Sequence, residues 1–289
     1  MTNRAHLLEG EAVAARFALA APRNGPVNRS GSVLGSQAGS SLEFRDYRAY
    51  EAGDDLRHID WNAYARSDQL NVKLYREEVL PHLDMLIDGS RSMALADTAK
   101  ARATLALAGF FTSAAANAGY SHAGWLLSGM GVPLGDRHQH PLAWEGVRFD
   151  LGTSPLPALS SAAARFRPRS VRILLSDLMW DADPARVVRQ IVDRAASAVV
   201  IQVLAREDAD PALNGYVQLV DCETGELREL RVDRAMLDRY LSNLHKLQGH
   251  WHDCCRSAGV IFVVVIAEDL LDDWRQIDPL MAAGMLQVY

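Results

Sequence analysis

The stretch LDMLIDGSRSM, residues 83–93, is an apolar run that ends in an acid and then sets two hydroxyls at alternate positions. In an extended segment, side chains two apart point the same way, so Asp88, Ser90 and Ser92 can converge on one point. A carboxylate with two hydroxyls is an all-oxygen donor set. Hard divalent cations such as magnesium or manganese take such a set at near-octahedral geometry, with waters completing the shell. Two more oxygens stand downstream: Thr153 in LGTSP, just ahead of an expected helix, and Asp177 at the end of the apolar run VRILLSD. An isolated Asp at a strand end usually caps the turn that follows. The sequence alone leaves that role, or a degenerate metal-free site, open beside the metal reading.

For these groups to meet, the strands that carry them must lie side by side, and the chain has the pattern for it. HLDMLID reads as a strand. Asp97 is the expected N-cap of a helix through LALAGFFTSAAANAG, with Gly119 as its stop. SHAGWLLS is the next strand, and a helix starts near Ser154 or Pro155 and runs through ALSSAAARF. VRILLSDL, DADPARVVRQIVDRAA and AVVIQVLA continue as strand, helix, strand. YVQLVDCETGELREL reads as a hairpin turning near Thr224-Gly225. A long helix over 232–259 then aligns Leu237, Leu241, Leu244, Leu247, Trp251 and Cys254 in one stripe, and VIFVVVIA closes the set as a strand. Strands apolar throughout and alternating with helices give an α/β fold, an open, mostly parallel, Rossmann-like sheet covered by helices on both faces. Ligands of such sheets bind at the carboxyl ends of the strands, where Asp88 and Asp177 fall.

This domain is expected over residues 82–289, and residues 1–81 form an N-terminal extension. Within the extension, residues 5–20 suit a short amphipathic helix, and Pro22 to Ser41, rich in Gly, Ser, Pro and Asn, reads as loop. The rest is dense in charged and aromatic residues, and LNVKLYREEV near its end alternates as a strand does.

The order Asp-x-Ser-x-Ser, then Thr, then Asp after an apolar strand resembles the metal-ion-dependent adhesion site of von Willebrand factor A domains. The upstream segment EFRDYRAYEAGDDLRHIDWNAYAR resembles the signature of a bacterial family, domain-of-unknown-function family fifty-eight. The resemblance implies an A-like fold and a magnesium site (or manganese or calcium) made by Asp88, Ser90, Ser92, Thr153 and Asp177. It also implies a cytoplasmic or membrane-tethered partner or adaptor of a MoxR-type AAA+ ATPase. Many A domains carry Gly-Gly-Thr at the second motif, whereas this chain has Leu151-Gly152-Thr153 and then Ser154, so Ser154 is an alternative ligand.

In GDDLRHIDW, the residues Asp54, Asp55, Arg57, His58, Asp60 and Trp61 stand within a few positions. They make either a docking surface or a tight turn at Gly53, with ion-paired arginines and Trp61 as an anchor on the sheet. Arg45, Asp46 and Arg48 belong to the same cluster. Asp136, His138 and His140 in GDRHQH read as a solvated loop. His250 and Cys254, four apart with His252 and Cys255 nearby, have a zinc-compatible spacing, but the helical stripe favours a core cysteine.

Other classes are poorly served. The net charge of −6 gives no support for a nucleic-acid partner. Three cysteines, two of them adjacent, suggest no disulfide framework and suit a reducing cytoplasm. The longest apolar stretch, VIFVVVIA, is far too short to span a bilayer. There is no phosphate-binding Gly-x-x-x-x-Gly-Lys-Ser/Thr, no Gly-x-Ser-x-Gly elbow around Ser90 or Ser92, and no HExxH.

The expectation is therefore a cytoplasmic, non-enzymatic protein that grips an Asp or Glu of a partner through a bound divalent ion. The partner would be a MoxR-type AAA+ ATPase or its client. The alternatives are a metal-dependent hydrolase using the same oxygens with His58 or Asp60 as base, and a structural scaffold without metal.

Overall fold

A computed structural model describes residues 3–21, 43–51, 56, 59–76, 81–135, 140–144 and 147–288. The chain divides into two compact units, Met1–Val33 with Pro81–Tyr289, and Leu34–Leu80. In chain order the first elements are α1 (Asn3–Ala14), β1 (Phe17–Leu19), β2 (Glu43–Ala49), α2 (Trp61–Ser67), β3 (Asn71–Arg76) and β4 (His82–Asp88). Next come α3 (Lys100–Asn117), β5 (Ser121–Leu127), β6 (Val132–Leu134), α4 (Leu156–Ala163), β7 (Val171–Ser176), α5 (Pro184–Val192) and β8 (Ser197–Leu204). Then follow α6 (Arg206–Ala209), β9 (Gly215–Val220), β10 (Leu227–Val232) and α7 (Arg234–Ser257). Last are β11 (Ile261–Ile266), α8 (Ala267–Asp272), α9 (Asp278–Ala282) and β12 (Leu286–Val288).

The larger unit is built on a six-stranded sheet ordered β11-β8-β7-β4-β5-β6. All its neighbours pair in parallel except the edge strand β6, which runs antiparallel to β5. This is the open, mostly parallel sheet that the alternating pattern predicts. The chain winds outward from β4 to β5, then crosses back to β7 and winds the other way. The switch point therefore lies between β4 and β7.

Strand parity assigns the two faces. Leu83, Met85 and Ile87 of β4 join Val171, Ile173 and Leu175 of β7 in the core that contains Phe110 and Phe111 of α3. Leu86 and Leu174 point the other way, into a core with Leu159, Val188, Trp251 and Cys255 from α4, α5 and α7. The alternate residues Asp84, Asp88, Arg172 and Ser176 share the parity of this second face. Polar residues thus occupy both ends of two strands whose centres are wholly apolar.

Several local expectations are corrected. The helix expected over 5–20 ends at Ala14, and Phe17–Leu19 instead pairs antiparallel with Leu286–Val288. α1 packs on α3 at very close range: a Cβ on Gly10 would lie 1.7 Å from the Ala106 carbonyl oxygen, and one on Gly109 would lie 2.2 Å from that of Leu7. Only glycine at both positions allows the two backbones to approach so far.

Asp97 does not cap α3. It adopts φ +62° upstream of the helix, and the Glu268 carboxylate of α8 accepts from the Ala99 amide at 2.9 Å. The other Glu268 oxygen takes the Arg206 amide at 2.8 Å, so one side chain serves the starts of both α3 and α6. On α7 the fully buried cysteine is Cys255, and Cys254 is half-buried.

In the smaller unit β2 pairs antiparallel with β3, with a register shift between Phe44 and Asp46, and α2 lies between them in sequence. Asp60 caps α2, accepting from the amides of Asn62 and Ala63 and from the Tyr47 hydroxyl at 2.8 Å. Trp61 is 59% exposed, and among the described residues its ring contact is with the edge of Tyr64. Asp54, Asp55, Arg57 and His58, the side chains of Arg45 and Asp46, and Asp136 and His138 lie outside the described residues.

Candidate metal centre

β4 and β7 are neighbours in register, Ile87 beside Leu175, so the next residues, Asp88 and Ser176, meet at the strand ends. Ser176 donates its hydroxyl to Asp88 Oδ2 at 2.5 Å, and Oδ1 accepts the Ser90 amide at 2.9 Å. Ser176 Oγ also accepts from the Leu178 amide and from Trp180 Nε1, each at 2.9 Å. These bonds fix the tight turn after β7, in which the buried Leu178 takes φ +58°, a left-handed conformation costly for a bulky side chain. A Cβ on Gly89 would lie 2.9 Å from that of Ser128, so the residue between Asp88 and Ser90 must be small for β4 to leave the sheet here.

Ser90 Oγ and Ser92 Oγ lie 3.0 Å apart. The second-motif loop runs beside them: the Leu151 amide donates to Gly89 O, and the Arg91 amide donates to Leu151 O, both at 3.0 Å. Thr153, two residues on, is exposed and makes no hydrogen bond to the other four predicted ligands. Ser154 Oγ accepts the Leu156 amide at the start of α4, which engages that alternative hydroxyl. The tip of the β9–β10 hairpin closes one side, where Arg91 donates to Glu223 O at 2.9 Å and to Asp150 O at 3.2 Å. The sequence placed the hairpin but gave no sign that its tip reaches this rim.

Asp88 is completely buried, and no cation pairs with it among the described residues. Burial, and then the neighbouring Asp177 carboxylate, push its carboxyl up to about 7, against the hydrogen bonds from Ser176 and Ser90. A buried carboxylate short of positive charge, flanked by two hydroxyls at the switch point, has the donor chemistry of a hard-cation site, and the residues fit a divalent ion.

Asp177 is differently placed. Its Oδ2 accepts from Lys100 Nζ at 2.8 Å, and its Oδ1 accepts from the Met179 amide at 3.1 Å. Lys100, 1% exposed, also reaches Asp208 Oδ2 at 3.1 Å. Burial works against its charge, but Asp177 and Asp208 outweigh it and raise the ammonium's pKa. Sequence reasoning missed Lys100. The available signal was its place at a helix start, in a chain with only three lysines.

Among the described residues no group of three or more His, Cys, Asp and Glu could hold a metal. This bears on His250, His252, Cys254 and Cys255. Burial drives the Cys255 thiol up to about 12, as for a core residue. His140 is a surface residue beside Glu11.

The sequence profile of the family described as "Protein of unknown function DUF58" matches residues 46–249. Uncharacterized proteins of Mycobacterium bovis and Mycobacterium tuberculosis are 27% identical over 226 residues, 73% of this chain and 70% of theirs. Among solved structures, a conserved hypothetical protein, BatB, from Bacteroides thetaiotaomicron is similar at 13% identity and TM-score 0.35, covering 70% of this chain and 99% of that one. An aerotolerance-related membrane protein from Bacteroides fragilis is similar at 13% identity and TM-score 0.39, with 68% and 97% covered.

Proposed function

The chain belongs to the DUF58 family, and on that premise we propose that it is a non-enzymatic adaptor with a von Willebrand factor A-like domain, which binds a partner protein through a divalent ion, magnesium by preference. The observation that carries the reading is Asp88: a wholly buried acid that pairs with no cation among the described residues, beside the Ser90 and Ser92 hydroxyls, at the switch point of a parallel sheet. Asp88, Ser90 and Ser92 would hold the ion directly. Thr153 would complete the set from the adjacent loop, and Asp177 would act through water. The ion would supply Lewis acidity toward an incoming carboxylate. One directly bound carboxylate leaves a divalent ion with net positive charge, so a partner's Asp or Glu is the favoured last ligand.

The partner class, a MoxR-type AAA+ ATPase or its client, is supported by the family resemblance, and a cytoplasmic setting by the free cysteines. No helix among the described residues is long and apolar enough to cross a membrane. The hydrolase alternative gains nothing from Asp60, whose carboxylate is committed to capping α2.

Calorimetric titration with magnesium and manganese tests the reading. Wild type should bind one ion and Asp88→Ala none, while the variant keeps its circular dichroism. Equal binding by both proteins would refute the assignment.

A further inference from the structure

Lys100 opens α3, where the helix dipole already presents positive charge, and its ammonium is out of contact with water. Such a placement is unfavourable unless anions compensate, and here two do: Asp177 from the end of β7 and Asp208 from α6. Each partner is itself held in place. Gln202 donates to the Asp177 carbonyl at 2.8 Å and accepts from Gln248 of α7 at 3.1 Å. Asp208 accepts the Ala205 amide at 3.0 Å, and the Tyr240 hydroxyl of α7 donates to its carbonyl at 2.8 Å. The ammonium therefore sits in a prepared cradle beside the candidate centre.

We propose that Lys100 is a positioning residue of that centre: its ammonium holds Asp177 out of direct coordination and thereby sets how weakly the divalent ion is bound. This rests on the metal reading above and specifies how the site is regulated.

Asp177 has two oxygens, one given to Lys100 and the other to the Met179 amide. Direct coordination would require it to leave one of them. The charge count agrees. Around the centre Asp88, Asp177 and Asp208 with Lys100 sum to minus two, with Asp88 alone of the acids on the ion directly. Without Lys100 the same ion would face three carboxylates. Affinity of oxygen sites for divalent ions rises with the number of charged ligands, so removing the ammonium should tighten binding.

The experiment compares wild type, Lys100→Met and Asp208→Asn by calorimetric titration with magnesium and manganese. Ion-induced shifts in melting temperature provide the second measurement. Lys100→Met should bind about tenfold more tightly than wild type and show the larger thermal shift. Asp208→Asn leaves the ammonium to Asp177 alone and should bind more weakly. It carries the test if Lys100→Met does not fold.

A folded Lys100→Met with wild-type or weaker affinity overturns the proposal. So does an Asp208→Asn protein that binds as well as wild type, or better. Failure of the metal reading is distinct, because it appears as no ion uptake by wild type, or as uptake indifferent to Asp88→Ala.

Discussion

Ser176 shows how much one hydroxyl carries at this rim. It donates to Asp88 and accepts from two donors, the Leu178 amide and the Trp180 indole. Ser176→Ala would leave both donors without their acceptor in a buried turn, at a cost of about 3 kcal/mol. Urea unfolding is the check, and a loss below 1 kcal/mol would mean that the turn finds other partners. Asp88, Ser90 and Asp177 were legible because a strand end and a spacing of two mark them. Ser176 was not, since inside VRILLSD it is simply a small residue of a buried strand. Lys100 was hidden for another reason: its acids come from the end of β7 and from α6, far along the chain, and no local pattern connects them.

The α/β alternation was readable because each buried strand is a short apolar run and each helix carries its own periodicity. Elements whose partner is remote were harder. β1 is three residues long and has no strand signal until β12 lies beside it. α1 was visible as a helix, but its closeness to α3 depends on two glycines that any helix reading counts as defects. Gly10→Ala would drive a methyl into the Ala106 carbonyl and should cost about 1–3 kcal/mol, with faster amide exchange in α1. Gly249 supplies the contrast. It is exposed within α7 and a Cβ there meets nothing within 4 Å, so Gly249→Ala should stabilise by about 0.5–1 kcal/mol in the same unfolding assay.

Across the larger unit the sheet buries charge at its opposite end too. Asp84 accepts from Trp125 Nε1 at 2.9 Å and from the Arg167 amide at 3.2 Å, with His82 Nε2 at 3.5 Å. Burial alone would raise its carboxyl, but hydrogen bonds from His82, Ser170 and Trp125 outweigh that and hold it below its ordinary value of 3.8. A depressed folded value places the stabilisation above the unfolded pKa, and it is lost as pH falls through the folded one. Asp84→Asn should therefore cost about 2–4 kcal/mol at pH 7, with the gap to wild type closing in acid well below pH 4. Unfolding curves at both pH values decide it, and a gap independent of pH would exclude an ionised Asp84 as the cause.

The pairing of β1 with β12 has a consequence for synthesis. Phe17–Leu19 leaves the ribosome well before Leu286–Val288, its strand partner among the described residues. α1 can dock once α3 has emerged, but the strand behind it must wait until Leu286–Val288 has been translated. Until then its backbone groups stay open to water, to a chaperone or to a neighbouring nascent chain.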